Sequence, residues 1–328
     1  IKIIRPVRSS ESIVIVFFID SLYLLPMTIQ ELTYLVAVAD HLHFGRAAAA
    51  CHVTQPTLSA GIRSLETKLE LVLCERGPQG VRITRAGEPV IEQARRVLAE
   101  ARQLEQIARR GQDPLTGVFR LGAIPTIGPY LFPHVIPGIR GDWPDLRLHL
   151  VEAKTADLLR DLRRGDLDAA LVSPPVEDAG LTRTLLYREE FVVALPPGHT
   201  LARKRSLRPD DLEQEPLLLL DEGHCLRDQV VEFCRIGDAA ARELPRSSSL
   251  ETLRNMVATG MGCTLLPALA VPDDGNLAIR RLARPAPARD VGLYWRSKSA
   301  GAESARLLAG TLRKHLPAVV RRPAPNHP

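Results

Sequence analysis

Apolar and polar positions in the first part of the chain follow the period of short helices. The pattern predicts helices over Gln30 to Val38, over the Ala-rich stretch Phe44 to Cys51, and over Gln55 to Glu70. Thr54 is the expected N-cap of the third helix, and Pro56 is tolerated in its first turn. Four apolar residues share one face of this helix and must pack inward: Leu58, Ile62, Leu65 and Leu69.

The next segment changes period twice. Val72 to Thr84 alternates loosely around Gly77, Pro78 and Gly80, which predicts a β-hairpin. Glu88 to Arg110 is a long helical pattern, long enough to serve as a connector or as a dimer seam.

Short apolar strands separated by helices follow, and this alternation is typical of the α/β class. Clear helices are expected over Ala156 to Arg164 and over Leu250 to Ala258, the second opened by a capping box of Ser248 and Glu251. The predicted strands are Val118 to Ala123, Leu146 to Val151, Leu167 to Val172, Glu190 to Leu195 and Leu217 to Leu220.

Length and composition set the class of protein. At 328 residues, with 45% hydrophobic and 25% charged residues, the chain should form a globular protein of two or three domains. The net charge of +5 permits a polyanionic partner. It does not locate one, because the local balance is +9 over residues 280–328 and only +2 over residues 27–110.

The five cysteines lack the pattern of a secreted disulfide framework or of a zinc site, so no metal is expected. Reduced thiols and a cytoplasmic location are the default expectation. No apolar run reaches the length of a membrane span, and no membrane association is expected. Residues 1–26 resemble neither a signal peptide nor a domain, and we expect them to be an extension outside the folded protein.

The third helix has an apolar back and a small polar front, which is the form of a helix that enters the DNA major groove. Its candidate contacts are Gln55, Pro56, Thr57, Ser59 and Arg63, and the hairpin adds Arg82 and Arg85 for flanking phosphates. The pattern alone is equally compatible with an ordinary three-helix packing unit.

The stretch ELTYLVAVADHLHFGRAAAACHVTQPTLSAGIRSLETKLELVLCER, followed by ITRAG, resembles the winged helix-turn-helix of LysR-type regulators. The resemblance implies a DNA-binding domain over 27–87 and a linker and dimerisation helix over 88–112. It further implies a two-lobed α/β regulatory domain over 113–317, similar to periplasmic binding proteins, and a flexible tail over 318–328. Double-stranded promoter DNA, RNA polymerase and a homotetrameric assembly are the implied partners.

Cys225 and Cys234 lie nine residues apart in DEGHCLRDQVVEFC. On one helix they would be ~13.5 Å apart along the axis and on opposite faces, whereas a disulfide requires Cα atoms within about 7 Å. Either the thiols never join, or joining them refolds the segment. Nearby His224 and Arg227 are candidate supports for a thiolate, and Asp228 would oppose them.

GHCLRDQ and FC, followed by SSSLETLRNMVATGMGCTLLPALAVP, resemble the hydrogen-peroxide-sensing members of the LysR family. The resemblance implies that peroxide oxidises Cys225 to a sulfenic acid, that Cys234 resolves it as a disulfide, and that a thioredoxin or glutaredoxin type of thiol reductant reverses the change. Thr126, Thr155, His224 and Asp228 match the positions that surround peroxide in those proteins. By pattern alone, Thr126 is a turn residue and Thr155 a helix cap.

Other hypotheses stay open at this point. The chain can be a LysR-type regulator of a small metabolite with incidental cysteines, a thiol peroxidase, or a transported binding protein. An enzyme is not favoured, and no cofactor is expected, because the sequence contains no P-loop, nucleophile elbow or metal constellation. Cys51, Cys74 and Cys263 are interpreted as small buried apolar residues.

Overall fold

The computed structural model describes residues 27–77, 80–109, 115–176, 180–236, 241, 243–272 and 275–322. The expected extension over 1–26 and the end of the expected tail, 323–328, lie outside the described residues. The chain divides into two units, of which the first ends at Leu98 and the second begins at Ala99. No helix in the described ranges is long and apolar enough to cross a membrane.

The helices are α1 Ile29–His41, α2 Phe44–Ala50, α3 Gln55–Leu69, α4 Gly87–Arg109, α5 Gly128–Asp142, α6 Thr155–Arg164, α7 Cys225–Phe233, α8 Leu250–Ala258 and α9 Ala302–Lys314. The strands are β1 Cys74–Gly77, β2 Gly80–Ile83, β3 Gly117–Ala123, β4 Leu146–Glu152, β5 Ala169–Val172, β6 Leu181–Leu195, β7 Ser206–Leu207, β8 Leu219–Leu220, β9 Arg246–Ser247, β10 Thr264–Pro267, β11 Ala278–Leu282 and β12 Ala288–Arg296.

The first unit packs α1, α2 and α3 around one apolar core and adds the antiparallel hairpin of β1 and β2. The side chain of Thr54 caps α3 by accepting from the N–H of Thr57, as the pattern predicts. Leu58, Ile62 and Leu65 are buried, and Leu69 packs against the same core. The apolar face of α3 is therefore fixed inward, and this determines which of its residues face out.

Glu31 links α1 to α3 within this unit. Its carboxylate completes a capping box with Thr28 and accepts hydrogen bonds from the Ser64 hydroxyl and the Lys68 ammonium, both at 2.7 Å. Burial raises the pKa of Glu31, but the bonds from Lys68, Ser64 and the Thr28 N–H lower it to about 2 overall. The ionised carboxylate is thus the form that the fold favours.

The second unit contains a mixed sheet in the order β4-β3-β5-β12-β6-β11-β7, with β10 also paired to β6, and a small parallel sheet of β8 and β9. Its longest strand is shared, because Leu181 to Glu190 of β6 pair with β12, whereas Phe191 to Ala194 pair with β10. Strand β6 therefore passes from one lobe of the unit to the other, between Glu190 and Phe191.

Each lobe has its own apolar core. The first core includes the inner faces of β3, β5, α5, α6 and α9. The second includes the C-terminal half of β6 together with β8, β10, α7 and α8. The predicted α/β class is observed. Strands and helices alternate along the chain, and they form two lobes.

Several predicted elements differ from the structure. Helix α8 is capped by Ser249, whose hydroxyl accepts from the Thr252 N–H, so the prediction of a Ser248 capping box is wrong. β6 is far longer than the predicted strand. Its first half carries charged and polar residues, so the apolar pattern predicted only the second half. Among the elements that were not predicted are α5, α9, β11 and β12. Two prolines inside α5 interrupt the sequence pattern of a helix.

Replacing Glu31 by Gln should lower the free energy of unfolding of the first unit by about 1 to 3 kcal/mol at pH 7, because charge-assisted bonds to two helices are weakened. The pKa of Glu31 is lowered in the folded state, so its contribution is complete above pH 4.5 and is lost as the pH falls towards 2. Urea unfolding at pH 7 and at pH 3 measures both effects.

The exposed Glu70, replaced by Gln, is the matched control and should change neither value appreciably. Equal stability of the Glu31 and Glu70 variants at pH 7 would show that Glu31 does not tie α1 to α3.

Candidate functional site

Helix α7 carries both cysteines of the predicted pair. Cys225 is its first residue, His224 its N-cap and Cys234 its C-cap, and all five cysteines of the chain are free thiols. The rise of an α-helix separates the two positions by ~13.5 Å along the axis. In this structure a bond between them would require α7 to unfold.

The two thiols also pack against different cores. Cys225 packs against the core of the first lobe, whereas Cys234 packs against the core of the second. Leu226, Val230 and Cys234 follow at four-residue intervals, so they form one face of α7, and the first two are buried in the second lobe. Helix α7 therefore holds its two cysteines in two separate environments.

A small pocket surrounds Cys225. The predicted residues Thr126, Thr155 and His224 line it together with Cys225 itself, and the lining is completed by Ile124, Pro125, Lys154 and Gly223. Thr126 lies in the turn after β3, and Thr155 is the first residue of α6. The hydroxyl of Thr155 is buried and has no hydrogen-bond partner within the described ranges. The pocket thus offers an unused hydroxyl beside a thiol.

Asp228 and Arg227 lie elsewhere. The Asp228 side chain is 70% exposed, accepts a hydrogen bond from Arg227 at 3.3 Å and is not among the residues that line the pocket. Arg227 lies between this carboxylate and that of Glu222, 3.9 Å away. Arg227 is not among the principal causes of the shift in the Cys225 pKa, so its support of a thiolate stays a prediction.

A different arginine acts on the pocket. The guanidinium of Arg289 in β12 is fully buried and donates to both the hydroxyl and the carbonyl oxygen of Thr126, each at 2.8 Å. It also pairs with Glu189 of β6, at 2.6 Å. Arg289 was not predicted because β12 was not predicted; the available signal was an Arg-Asp pair at the start of the otherwise apolar strand ARDVGLYWR.

Opposing effects set the charge state of Cys225. Burial raises the pKa of its thiol, the positive charge of Arg289 lowers it, and the carboxylate of Asp228 raises it again. The backbone N–H groups of Cys225 and Leu226, at the start of α7, also lower it. The pKa remains above the ordinary value, so the resting thiol is mainly protonated at neutral pH.

His224 contributes no positive charge to the pocket. It is 5% exposed, and burial together with the nearby Lys154 charge lowers its pKa, while Asp221 raises it. At pH 7 its ring is therefore neutral and can serve as a hydrogen-bonding wall of the pocket.

Two other thiols, Cys234 and Cys263, have strongly raised pKa values. Burial raises the pKa of Cys234 to about 11, and burial followed by the charges of Glu215 and Cys234 raises that of Cys263 to about 12. Cys263 is buried as expected, whereas Cys51 and Cys74 are only half-buried at the edge of the first unit's core. In the described ranges no His, Cys, Asp and Glu cluster could hold a metal ion.

The second candidate surface is the outer face of α3. Gln55, Pro56, Thr57 and Arg63 are exposed there, as predicted for contacts with DNA. Ser59 is only 5% exposed, so it offers DNA less surface than its neighbours, and its role as a DNA contact stays a prediction. It lies 100° from the buried Leu58 on the helix, which places it at the margin of the inward face.

The hairpin carries the two remaining candidates for this surface. Arg82 is 83% exposed in its side chain and pairs with Glu75 across the hairpin at 2.7 Å, and Arg85 is exposed just after β2. Both side chains are accessible to a phosphate, and Arg82 would exchange its contact with Glu75 for it.

Two family models match the chain in the same order as its units. Residues 29–88 match the bacterial regulatory helix-turn-helix protein of the lysR family. Residues 112–317 match the LysR substrate binding domain. Together they cover the three helices, the hairpin and both lobes of the larger unit.

Individual proteins match over nearly their whole length. The hydrogen peroxide-inducible genes activator of Pectobacterium carotovorum is 42% identical over 293 residues, which are 88% of this chain and 97% of that protein. The dual regulator OxyR of Escherichia coli is 43% identical over 276 residues, 83% of this chain and 90% of that protein.

Solved structures agree with the sequences. Full-length OxyR from Pseudomonas aeruginosa matches with a TM-score of 0.75 and 39% identity, over 92% of this chain and 99% of that one. A hydrogen-peroxide-bound OxyR cysteine mutant from Corynebacterium glutamicum matches with a TM-score of 0.59 and 36% identity, over 88% and 94%. The chain belongs to the OxyR family of LysR-type transcriptional regulators.

Proposed function

We propose that this protein is a DNA-binding transcription regulator that senses hydrogen peroxide through Cys225 and records the signal as a disulfide with Cys234. The observation that carries the proposal is the pocket in which Cys225 meets Thr126, Thr155 and His224. The unpartnered Thr155 hydroxyl is free to bind a small hydrogen-bonding oxidant next to the thiol.

The first chemical step occurs in this pocket. The thiolate of Cys225 attacks one oxygen of hydrogen peroxide, the O–O bond breaks, and the second oxygen leaves as water after taking up a proton. Cys225 becomes a sulfenic acid. Arg289 contributes by lowering the pKa of the thiol and by fixing the position of the Thr126 hydroxyl.

The second step requires α7 to change shape. The Cys234 sulfur attacks the sulfenic acid, water leaves, and a disulfide closes a loop of ten residues. On the chain-entropy estimate such a loop stabilises the altered conformation by roughly 2.5 to 3 kcal/mol, which is on the order of a hundredfold in a conformational equilibrium. Since the cysteines pack against different lobes, this refolding alters the contacts of both.

The relatives support this chemistry. A Corynebacterium glutamicum OxyR mutant is described as hydrogen-peroxide-bound, and OxyR structures exist in reduced and oxidised forms. We transfer both properties to this chain, with Asp228 as an outer residue that reaches peroxide only if its exposed side chain turns inward.

We assign DNA binding to residues 27–87, dimerisation to the linker helix over 88–112 and redox sensing to residues 113–317. The DNA contacts are Gln55, Pro56, Thr57 and Arg63 on α3, with Arg82 and Arg85 on the backbone of the duplex. The proposed assembly is a homotetramer that acts with RNA polymerase on oxidative-stress promoters. It acts in the cytoplasm as a regulator rather than an enzyme, and a thioredoxin or glutaredoxin type of reductant resets it.

One equivalent of hydrogen peroxide should join Cys225 to Cys234, and dithiothreitol should separate them again. Non-reducing peptide mass mapping before and after treatment measures the bond. Cys234→Ser protein should stop at a sulfenic acid on Cys225 that dimedone traps, and Cys225→Ser protein should not react. Unchanged thiols in the wild type would instead support a LysR-type regulator that responds to a small metabolite.

Removing the positive charge of Arg289 should raise the pKa of Cys225. Because loss of Arg289 alone leaves Glu189 buried and unpaired, the test uses the double variant Glu189→Gln with Arg289→Gln. The pH dependence of iodoacetamide labelling at the Cys225 peptide reports the pKa, and labelling at pH 7 should slow.

Arg227→Gln is the matched control for the Arg289 measurement, since Arg227 lies two residues from Cys225 but bonds to Glu222 and Asp228. Its labelling profile should equal that of the wild type. An equal displacement in both variants would argue against a particular role for Arg289.

Arg63→Ala should weaken DNA binding by about 1 to 3 kcal/mol, since Arg63 is exposed on the outer face of α3. Fluorescence anisotropy with a duplex that the wild-type protein selects from a random library measures the affinity. Arg281→Ala, an exposed arginine of the second unit, is the control. Unchanged affinity in the Arg63 variant would remove α3 from the interface.

A further inference from the structure

Cys263 is a thiol that the proposed switch does not use. It is 1% exposed and lies immediately before β10, in the core of the second lobe. Its N–H donates to the Pro216 carbonyl and its own carbonyl accepts from the Leu218 N–H, both at 2.8 Å. These bonds make a parallel bridge between Cys263 and Leu217, so the thiol has a fixed place beside the chain that leads into β8.

The course of α7 brings Cys234 back to the same place. The chain runs through Leu217 and along β8, turns at Asp221 to His224, and returns as α7 packed against β8. Leu226 and Val230 of α7 line a small cavity with Thr264. One turn beyond Val230, on the same face of the helix, is Cys234.

Cys234 and Cys263 are therefore neighbours at the end of α7 that is distant from Cys225. Both pack into the core of the second lobe. The charge of a Cys234 thiolate also contributes to the raised pKa of Cys263, as expected for two thiols in proximity.

We propose that Cys263 is a third redox thiol. By thiol-disulfide exchange it replaces Cys225 as the disulfide partner of Cys234 and thereby ends the peroxide signal. This inference rests on the function proposed above. In this scheme the refolding of α7 brings Cys225 to Cys234, while Cys234 stays beside Cys263. The Cys263 thiolate attacks the Cys234 sulfur, the Cys225–Cys234 bond breaks, and Cys225 leaves as a thiolate that takes up the proton lost by Cys263. One disulfide is exchanged for another, so no further oxidant or reductant is consumed.

The exchange has a structural consequence. A bond between Cys234 and Cys263 leaves Cys234 at the end of a folded α7, and it lets Cys225 return to its pocket as a free thiol. Peroxide can then oxidise Cys225 again, but its resolving partner is occupied, so the product stays a sulfenic acid. The protein in this form no longer responds by refolding α7.

The exchange should be slow relative to the peroxide reaction. A thiol with a pKa of about 12 is almost wholly protonated at neutral pH, and a thiolate is the attacking species. The Cys225–Cys234 disulfide should therefore form first and the Cys234–Cys263 disulfide should replace it over minutes to hours.

The proximity of the two thiols is tested without peroxide. Full-length Cys225→Ser protein is treated with diamide, a general thiol oxidant, and mapped by non-reducing peptide mass spectrometry. A Cys234–Cys263 linkage is expected, and it should be lost when Cys263→Ala is added. The control Cys74→Ala, a half-buried cysteine of the first unit, should retain it. Free Cys234 and Cys263 after diamide, or linkage of either to another thiol, would overturn the inference.

The exchange itself is tested in the wild type. After one equivalent of peroxide and removal of the excess, the Cys225–Cys234 linkage should decline while the Cys234–Cys263 linkage grows. In Cys263→Ala protein the first linkage should form equally well and then persist. Failure of the first linkage in both proteins would contradict the proposed function, whereas persistence of that linkage in the wild type would contradict the exchange alone.

Discussion

The buried pair of Arg289 and Glu189 is the interaction on which the pocket around Cys225 depends. It lies beside the point where β6 passes between lobes, and both of its side chains are fully buried. Two charges in such a place are costly unless their remaining hydrogen-bonding groups are satisfied. Arg289 donates to both oxygens of Thr126, and the second Glu189 oxygen accepts from the Leu269 N–H. The pair thus fixes one wall of the pocket and joins that wall to the segment that follows β10.

In the proposed switch, helix α7 converts chemistry at Cys225 into a change of shape. Its first residue belongs to the core of one lobe and its inner face to the core of the other. Further bonds cross at the same level: the Lys154 ammonium donates to the Glu222 carbonyl at 2.7 Å, and Gln229 donates to Ser173 at 3.4 Å. Any event that requires α7 to unwind must disrupt these contacts. A covalent bond between its ends is such an event, because a helix of this length holds the ends apart.

Residues that repeat with the helix period were predictable from sequence, and residues defined by distant partners were not. Leu58, Ile62 and Leu65 follow from spacing alone, and the long separation of Cys225 from Cys234 follows from the same geometry. The burial of Ser59 was not predictable, because a residue 100° from the buried Leu58 lies at the margin of the apolar face. Arg289 was missed because its role depends on Glu189, 100 residues away, and on the turn at Thr126.

The burial of Cys225 raises its pKa, which at first appears unsuited to a thiol that must react as a thiolate. Under the proposed chemistry, burial determines which oxidant can react. In this conformation the pocket has no room for a molecule as large as water, so its lining must move to admit even a compact oxidant such as hydrogen peroxide, and a bulky disulfide is excluded by size. Arg289 and the N–H groups at the start of α7 stabilise negative charge on the Cys225 sulfur within this enclosure. The enclosure that restricts the oxidant therefore also sets the reactivity of Cys225, because the same burial lowers the fraction of its thiol that is ionised.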